Sequence, residues 1–189
     1  MGFKKFLKLK KWFFKKLLSV PLNTYPRIVQ PCLFLGSGII NIDENSQFGY
    51  FPSPLFYGSY CHIEARNPSS QIIIGATTFI NNNACIISNG AKVIIGKNCR
   101  IGTNFQCFDS DFHGQKIEDR DNAKAILNVD VLIGDDVFIG NNVIILKGVN
   151  IGSGSIVGAG SVVTKSFPEN SIIGGNPAKF IKEIRNYTL

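Results

Sequence analysis

The sequence predicts an all-β fold, a three-sided parallel β-helix carrying an N-terminal amphipathic helix, one protruding loop and a short C-terminal helix. Three observations predict it. An aliphatic residue followed by Gly recurs every six residues at Ile133-Gly134, Ile139-Gly140, Ile151-Gly152 and Val157-Gly158, and Ile145 and Val163 keep the spacing without the Gly. A second run holds the same register at Ile74-Gly75, Ile80, Ile95-Gly96 and Ile101-Gly102. A small residue, Val137, Val143, Val149, Ser155 or Ser161, stands two positions before the next aliphatic, so each unit reads as a short strand with two inward side chains around one outward one. Such units suit three strands and about eighteen residues per coil. Stacked Ile and Val fill the interior, and Gly sits where no side chain fits. An antiparallel sandwich also alternates Ile and Val, but it needs hairpin turns at irregular intervals, which the unbroken spacing from Ile133 to Val163 opposes.

The outward positions form columns. Phe138 stacks on Ile156 one coil away, and Ile144 on Val162. Exposed apolar columns are usually covered. A single prism has no second layer, so a neighbouring subunit or a long ligand is expected to cover them, in a cyclic homo-oligomer.

With 189 residues the chain is long enough for one main domain with a continuous core. Cys32, Cys61, Cys85, Cys99 and Cys107 form no Cys-x-x-Cys pair and read as buried free thiols of a reducing compartment, Cys99 at an inward position. With only His62 and His113 to add imidazoles, no metal site is expected. The formal net charge of +7 is local: residues 1–20 hold seven Lys and no acid, and the remainder balances. A neutral body argues against nucleic acid as a partner.

In residues 1–20, Phe3, Phe6, Leu7, Leu9, Phe13, Phe14, Leu17 and Leu18 project onto one half of a helix and most Lys onto the other, with Lys10 and Trp12 as misfits. The apolar stretch is too short and too often interrupted by Lys to cross a bilayer or to serve as a secretory signal. The pattern fits a helix lying on an anionic membrane surface, with docking on a partner subunit as the alternative.

Residues 21–73, with Pro21, Pro26, Pro31, Pro52, Pro54 and Pro68, read as a linker and degenerate N-terminal coils. Residues 74–175 form the regular core. The spacing from Ile74 to Ile95 exceeds one coil by three residues, which places a bulge near Asn89 to Lys92. Residues 109–130 carry no beat and should leave the prism as a polar loop, where chemistry tends to sit. Gly174-Gly175-Asn176-Pro177 ends the prism, and in residues 176–189 Pro177 is expected to open a helix over Ala178 to Arg185.

His113 stands in that loop, two and four residues after Asp111 and Asp109. In an extended segment the three share a face, so a carboxylate can hold one imidazole nitrogen while the other meets substrate, as a general base requires. His62 has no such setting and reads as structural.

The six-residue beat, the loop DSDFHG, the run GAGSVVTK at 158–165 and the ending GGNPAKFIKEI at 174–184 resemble the hexapeptide-repeat acyltransferases, which include galactoside and maltose O-acetyltransferases. The resemblance is specific over about residues 95–185 and weak before residue 70. It implies a left-handed coil and a homotrimer that binds acetyl-CoA between adjacent prisms and acetylates a hydroxyl or amine. It makes His113 the catalytic base; Asp111 is read beside it as a catalytic, orienting carboxylate and Asp109 as a substrate contact, at positions where the family varies. Asn104 matches an acceptor-contacting Asn, and Phe138 stands where the sugar enzymes carry Trp. Asn141, Ala159, Thr164 and Lys165 match pantetheine and phosphate contacts, with Lys179 and Lys182 following where the family often has Arg or Lys. The small N-terminal domain of the sugar acetyltransferases has no match here. The resemblance therefore implies O-acetylation of a sugar, glycan or glycolipid precursor of the bacterial surface-polysaccharide type, in the cytoplasm or on the inner face of the cell membrane. The alternatives are N-acylation of an amino sugar, a metal-dependent carbonic-anhydrase-like β-helix, which two His per chain disfavour, and a non-catalytic β-helix scaffold.

Overall fold

The computed structural model describes residues 3–17, 19, 20, 22 and 24–184. They form a left-handed parallel β-helix preceded by one helix, α1 (Phe3–Lys16). The chain rotates through three parallel sheets. Face A stacks Arg27–Ile28, Gln47–Phe48, Phe79–Ile80, Arg100–Ile101, Phe138–Ile139, Ile156–Val157 and Ser171–Gly175. Face B stacks Cys32–Gly36, Cys61–Ala65, Cys85–Ser88, Gln106–Phe108, Ile144–Ile145 and Val162–Val163. Face C stacks Ile39–Ile42, Gln71–Ile74, Lys92–Ile95, Val131–Ile133 and Asn150–Ile151. The rotation is already regular from Arg27, inside the stretch whose beat is degenerate. What blurs the beat there is an excursion, residues 49–60, at the A-to-B corner.

The inward positions are those read from the spacing. Ile133, Ile139, Ile145, Ile151, Val157 and Val163 are at most 2% exposed, and the small residues between them are equally buried. Each large aliphatic taken out of water contributes about 1.5–3 kcal/mol. The outward columns also hold: Phe138 pairs with Ile156, and Ile144 with Val162.

Gly in the beat is a steric requirement of stacking. A Cβ on Gly102 would lie 2.7 Å from the backbone N of Asn141, and one on Gly140 would lie 2.6 Å from that of Ala159. The same close approach lets the Gly140 N–H donate to the Val157 carbonyl at 2.8 Å. Gly fills this place at C-to-A corners (Gly75, Gly96, Gly134, Gly152) and at A-to-B corners (Gly102, Gly140, Gly158), whereas Phe108, Leu146 and Thr164 stand there at B-to-C corners.

The C-terminal segment corrects the expectation of a helix. Ala178–Glu183 is a strand that turns back at Asn176-Pro177 and pairs antiparallel with Ser171–Gly175, Gly174 opposite Lys179 and Ile172 opposite Lys182. The last strand of face A would otherwise present an open edge, and the hairpin satisfies it. A helix would need a surface to cover, yet Phe180 and Ile181 lie exposed. Arg185 and the tail to residue 189 lie outside the described residues, as does Leu18 of the N-terminal pattern.

Helix α1 packs against the face B strand Cys32–Gly36. Its half-buried side is Leu7, Lys10, Lys11 and Phe14. Phe14 meets the Tyr60 ring at 4.8 Å, and Lys11 Nζ donates to the Ile28 carbonyl at 2.7 Å. Lys10, a misfit on the apolar half, is explained: its Nζ donates to the carbonyls of Tyr57 and Ser59 at 2.9 and 3.1 Å.

The corner geometry separates two glycines of the same motif. Gly140→Ala drives a methyl into backbone and should cost about 1–3 kcal/mol, a visible drop in thermal midpoint. Gly158→Ala meets nothing nearer than the Ile173 carbonyl oxygen at 3.4 Å and should melt close to the parent. Parallel thermal unfolding curves check the contrast.

Candidate active site

The polar loop leaves the prism at a B-to-C corner and returns to the same point. Val129 N–H donates to the Asp109 carbonyl at 2.8 Å and Asp111 N–H to the Leu127 carbonyl at 3.2 Å, with an antiparallel bridge between Ser110 and Asn128. The base of the loop is thus a short two-stranded stem.

The three residues expected on one face are parted by this stem. Asp109 is fully buried, and its carboxylate accepts from Ser88 Oγ at 2.8 Å, Asn89 N–H at 2.7 Å and Ala91 N–H at 2.9 Å. It closes the extra turn that the spacing had placed near Asn89, and it is directed into the protein. Asp111 faces the next coil. Its Oδ1 is 2.7 Å from Lys147 Nζ, and its Oδ2 accepts from Gln115 Nε2 at 3.1 Å. Burial pushes this carboxyl up, but Lys147 and Gln115 outweigh burial and hold it below its usual range.

Phe112 then takes a left-handed backbone, φ 62°, rare for a bulky residue. Its ring is held from two sides, by Phe108 at 5.6 Å and by the Arg66 guanidinium at 5.2 Å. Arg66 is itself fixed by Glu64, with Nε to Oε1 at 2.8 Å, and Glu64 also meets His62 Nε2 at 3.0 Å. His62 therefore belongs to a network on the outer side of face B.

The turn at Phe112 brings His113 out to solvent with Nδ1 3.2 Å from the Arg120 carbonyl. A carbonyl only accepts, so the ring donates from Nδ1 and turns the Nε2 lone pair outward, the tautomer a base needs. The orienting partner is a backbone oxygen and not a carboxylate. Gly114 permits this closure, since a Cβ there would lie 2.1 Å from the Asp119 carbonyl oxygen.

The other candidate residues fall on two edges. Thr164 and Lys165 follow Val162–Val163 at a B-to-C corner, the edge of Lys147 and the loop. Phe138, Asn141 and Ala159 line an open groove of about 560 Å³ along face A and the A-to-B corner, walled by Phe79, Ile156 and Gly158. Asn141 Oδ1 accepts from Thr103 N–H at 2.9 Å, tying two coils. Asn104, on this edge, is the middle rung of a ladder: it accepts from Asn83 Nδ2 at 2.9 Å and donates to Asn142 Oδ1 at 3.0 Å. Lys179 and Lys182 ride on the hairpin strand beyond the groove. Face B separates groove from imidazole, and six residues of extended chain cover on the order of 20 Å. The candidate residues of one chain thus fall on two edges with face B between them.

Lys147 and Arg66, which clamp the loop, were not singled out from the sequence. The signal was the missing Gly at Leu146, which marks the corner where stacking changes. Among the described residues, no group of three His, Cys, Asp or Glu side chains converges on one point. All five cysteines are free, four buried and Cys85 half-buried.

Two family models match the chain, bacterial transferase hexapeptide (six repeats) over residues 130–165 and hexapeptide repeat of succinyl-transferase over residues 92–105. Among solved structures, a hexapeptide-repeat-containing acetyltransferase of Vibrio cholerae O1 biovar eltor, complexed with acetyl coenzyme A, is 26% identical, covering 95% of this chain and 79% of its own, with a TM-score of 0.59. The polysialic acid O-acetyltransferase OatWY is 27% identical, covering 86% of this chain and 75% of its own, with a TM-score of 0.65. A galactoside acetyltransferase in complex with coenzyme A is 25% identical, covering 98% of this chain and 86% of its own, with a TM-score of 0.58.

The ion pair that ties the loop to the next coil has a defined pH sense. A carboxyl held low contributes stability that is complete above its unfolded value of about 3.9 and is lost as pH falls through the folded value. Lys147→Met should therefore speed amide hydrogen exchange over residues 109–130 roughly two- to five-fold near neutrality, as expected for a partly exposed pair. The difference from the parent should close in acid.

Proposed function

We propose that this left-handed β-helix chain, matched by hexapeptide-repeat family models over residues 92–105 and 130–165, is an acetyl-CoA-dependent O-acetyltransferase with His113 as general base. The observation that carries this reading is the outward Nε2 of His113, its tautomer set by the Arg120 carbonyl, on an edge one face away from the groove. The acceptor is a sugar, glycan or glycolipid precursor of bacterial surface-polysaccharide type, handled in the cytoplasm or on the inner face of the membrane. Support comes from the O-acetyltransferase on polysialic acid and the galactoside enzyme among the similar structures.

The groove suits a long thioester. Its apolar wall of Phe79, Phe138 and Ile156 and its bare Gly140 and Gly158 corners accept a narrow chain. Lys165, Lys179 and Lys182 supply cations for phosphates. Acetyl-CoA brings an activated acetyl group. His113 Nε2 takes the proton from the acceptor hydroxyl as that oxygen bonds to the thioester carbonyl carbon. As the carbon–sulfur bond breaks, the imidazolium returns the proton to sulfur, so the products are the ester and free CoA. Asp111 and Lys147 hold the loop, and Asp109 holds the corner beneath it.

With the candidate residues on different edges, the working unit is a ring in which the A-to-B edge of one subunit meets the B-to-C edge of the next. Such a contact is heterologous and closes as a cyclic trimer on a three-sided prism. It also covers the columns of Phe138 with Ile156 and Ile144 with Val162.

Two measurements test the reading. His113→Ala should lower turnover, followed as CoA thiol release with matched hydroxyl and amino sugars, by about 10²–10⁴-fold with the oligomer intact. Unchanged turnover removes the base, and preference for the amino sugar moves the chemistry to N-acylation. When His113→Ala and the groove-filling Ala159→Trp, each inactive, are co-refolded in equal amounts, about a quarter of parental activity should return, because half the imidazoles then meet half the open grooves at random. No recovery means that each chain builds its own site.

A further inference from the structure

Helix α1 uses only one edge of its apolar half to hold the body. Leu7 and Phe14 face the protein, whereas Phe6, Leu9, Phe13 and Leu17 are exposed along the adjoining stripe and Trp12 is 58% exposed. Leu9, Phe13 and Phe14 line a shallow apolar groove with Phe6 and Lys10. The excursion 49–60, joined to α1 through Lys10, adds exposed Leu55 and Tyr60 beside it. Lys5, Lys8 and Lys16 are exposed on the same helix, with Lys16 Nζ 5.9 Å from the Trp12 ring. The first acidic residue of the chain is Asp43, so α1 carries no carboxylate of its own.

We propose that α1 and the adjoining excursion form a docking surface for an anionic lipid bilayer. Phe6, Leu9, Phe13 and Leu17 enter the acyl boundary, Lys5, Lys8 and Lys16 lie at headgroup level, and Trp12 sits where an indole is at home. No helix among the described residues is long and apolar enough to cross a membrane, so the chain rests on the lipid. Charge decides between lipid and a second copy: a copy offering the same surface sets Lys against Lys, whereas anionic headgroups match both the stripe and its cations. Several such helices on one oligomer would bind together with avidity.

The placement deepens the glycolipid reading above and rests on it for its purpose. α1 lies on the first strand of face B, and the His113 loop leaves the fourth, three strand spacings or about 14 Å along the axis. A sugar carried on a lipid would have to span that distance from the bound surface to the imidazole.

The test is flotation of the full-length protein with phosphatidylcholine vesicles, with and without phosphatidylglycerol. The parent should float with the anionic vesicles on the order of ten-fold better than with the neutral ones, and less as salt rises. The combined variant Phe6→Ser, Leu9→Ser, Phe13→Ser should lose that binding on the order of ten-fold while keeping its oligomer by light scattering. The variant Lys5→Gln, Lys8→Gln, Lys16→Gln, which leaves the docking side intact, should lose the preference for phosphatidylglycerol. Equal flotation of the parent and the serine variant overturns the proposal. So does a serine variant whose oligomer falls apart, since the stripe then lies between copies. Thiol release on the same samples reads the other proposal separately: a protein that floats but cleaves no thioester supports this surface and removes the acyltransfer.

Discussion

Everything in this molecule depends on how closely one coil can lie on the next. Parallel strands in neighbouring coils share hydrogen bonds only if their corners also stack, and at the corners backbone meets backbone with no room for a Cβ at Gly102 or Gly140. The polar corner positions are recruited into the same stack. Asn83, Asn104 and Asn142 all take left-handed backbone and link their amides in a ladder. Asn tolerates that conformation, and its side chain has both a donor and an acceptor to pass on. A rod built this way is stiff along its length. Its edges are therefore fixed in space, and a residue's edge follows from its place in the coil.

The B-to-C corner relaxes this constraint, and it is the corner that carries the loop of His113. Where Phe108, Leu146 and Thr164 replace Gly, the chain has space to leave the prism, and it does so between Phe108 and Val131. The departure has to be sealed, because the strands on either side continue the stack. Asp109 seals it from inside by satisfying three donors of the turn below. Asp111 seals it from outside through Lys147. The two carboxylates that bracket the path to His113 thus serve the loop's anchorage, and the imidazole is left to a carbonyl for orientation. A carbonyl acceptor fixes the tautomer and leaves the Nε2 lone pair facing outward.

Periodicity made the fold legible from the beat alone, down to the inward side chains and the outward columns, because one steric rule repeats at every coil. The loop was legible as an interruption, and His113 as its one imidazole. The orientation inside the loop was not. Reading Asp109, Asp111 and His113 onto a common face assumed extended backbone, and Phe112 breaks that with a turn held by Phe108, Arg66 and a hydrogen bond from its N–H to the Ser110 hydroxyl. The Arg66 contact comes from another coil, at a sequence separation no local pattern reveals. The C-terminal segment was misread for a related reason. Its residues suit a helix, but the open edge of face A was decisive, and that edge exists only once the prism is built.

The N-terminal helix shows how a misfit residue can mark a contact. A lysine in the apolar half of an amphipathic helix is costly on a uniform apolar surface, and Lys10 is relieved of that cost by two carbonyls of the excursion. Its stem still lies along apolar neighbours while the ammonium reaches polar backbone. The helix is consequently clamped at one edge, its rotation fixed, with the remainder of its apolar half turned away from the body. A helix meant only to complete the core would have rolled to bury Phe13 and Leu9. Holding them out costs apolar burial, and the clamp at Lys10 and Lys11 is what keeps the helix from rolling inward. The exposed stripe is thus a consequence of how the helix is fastened.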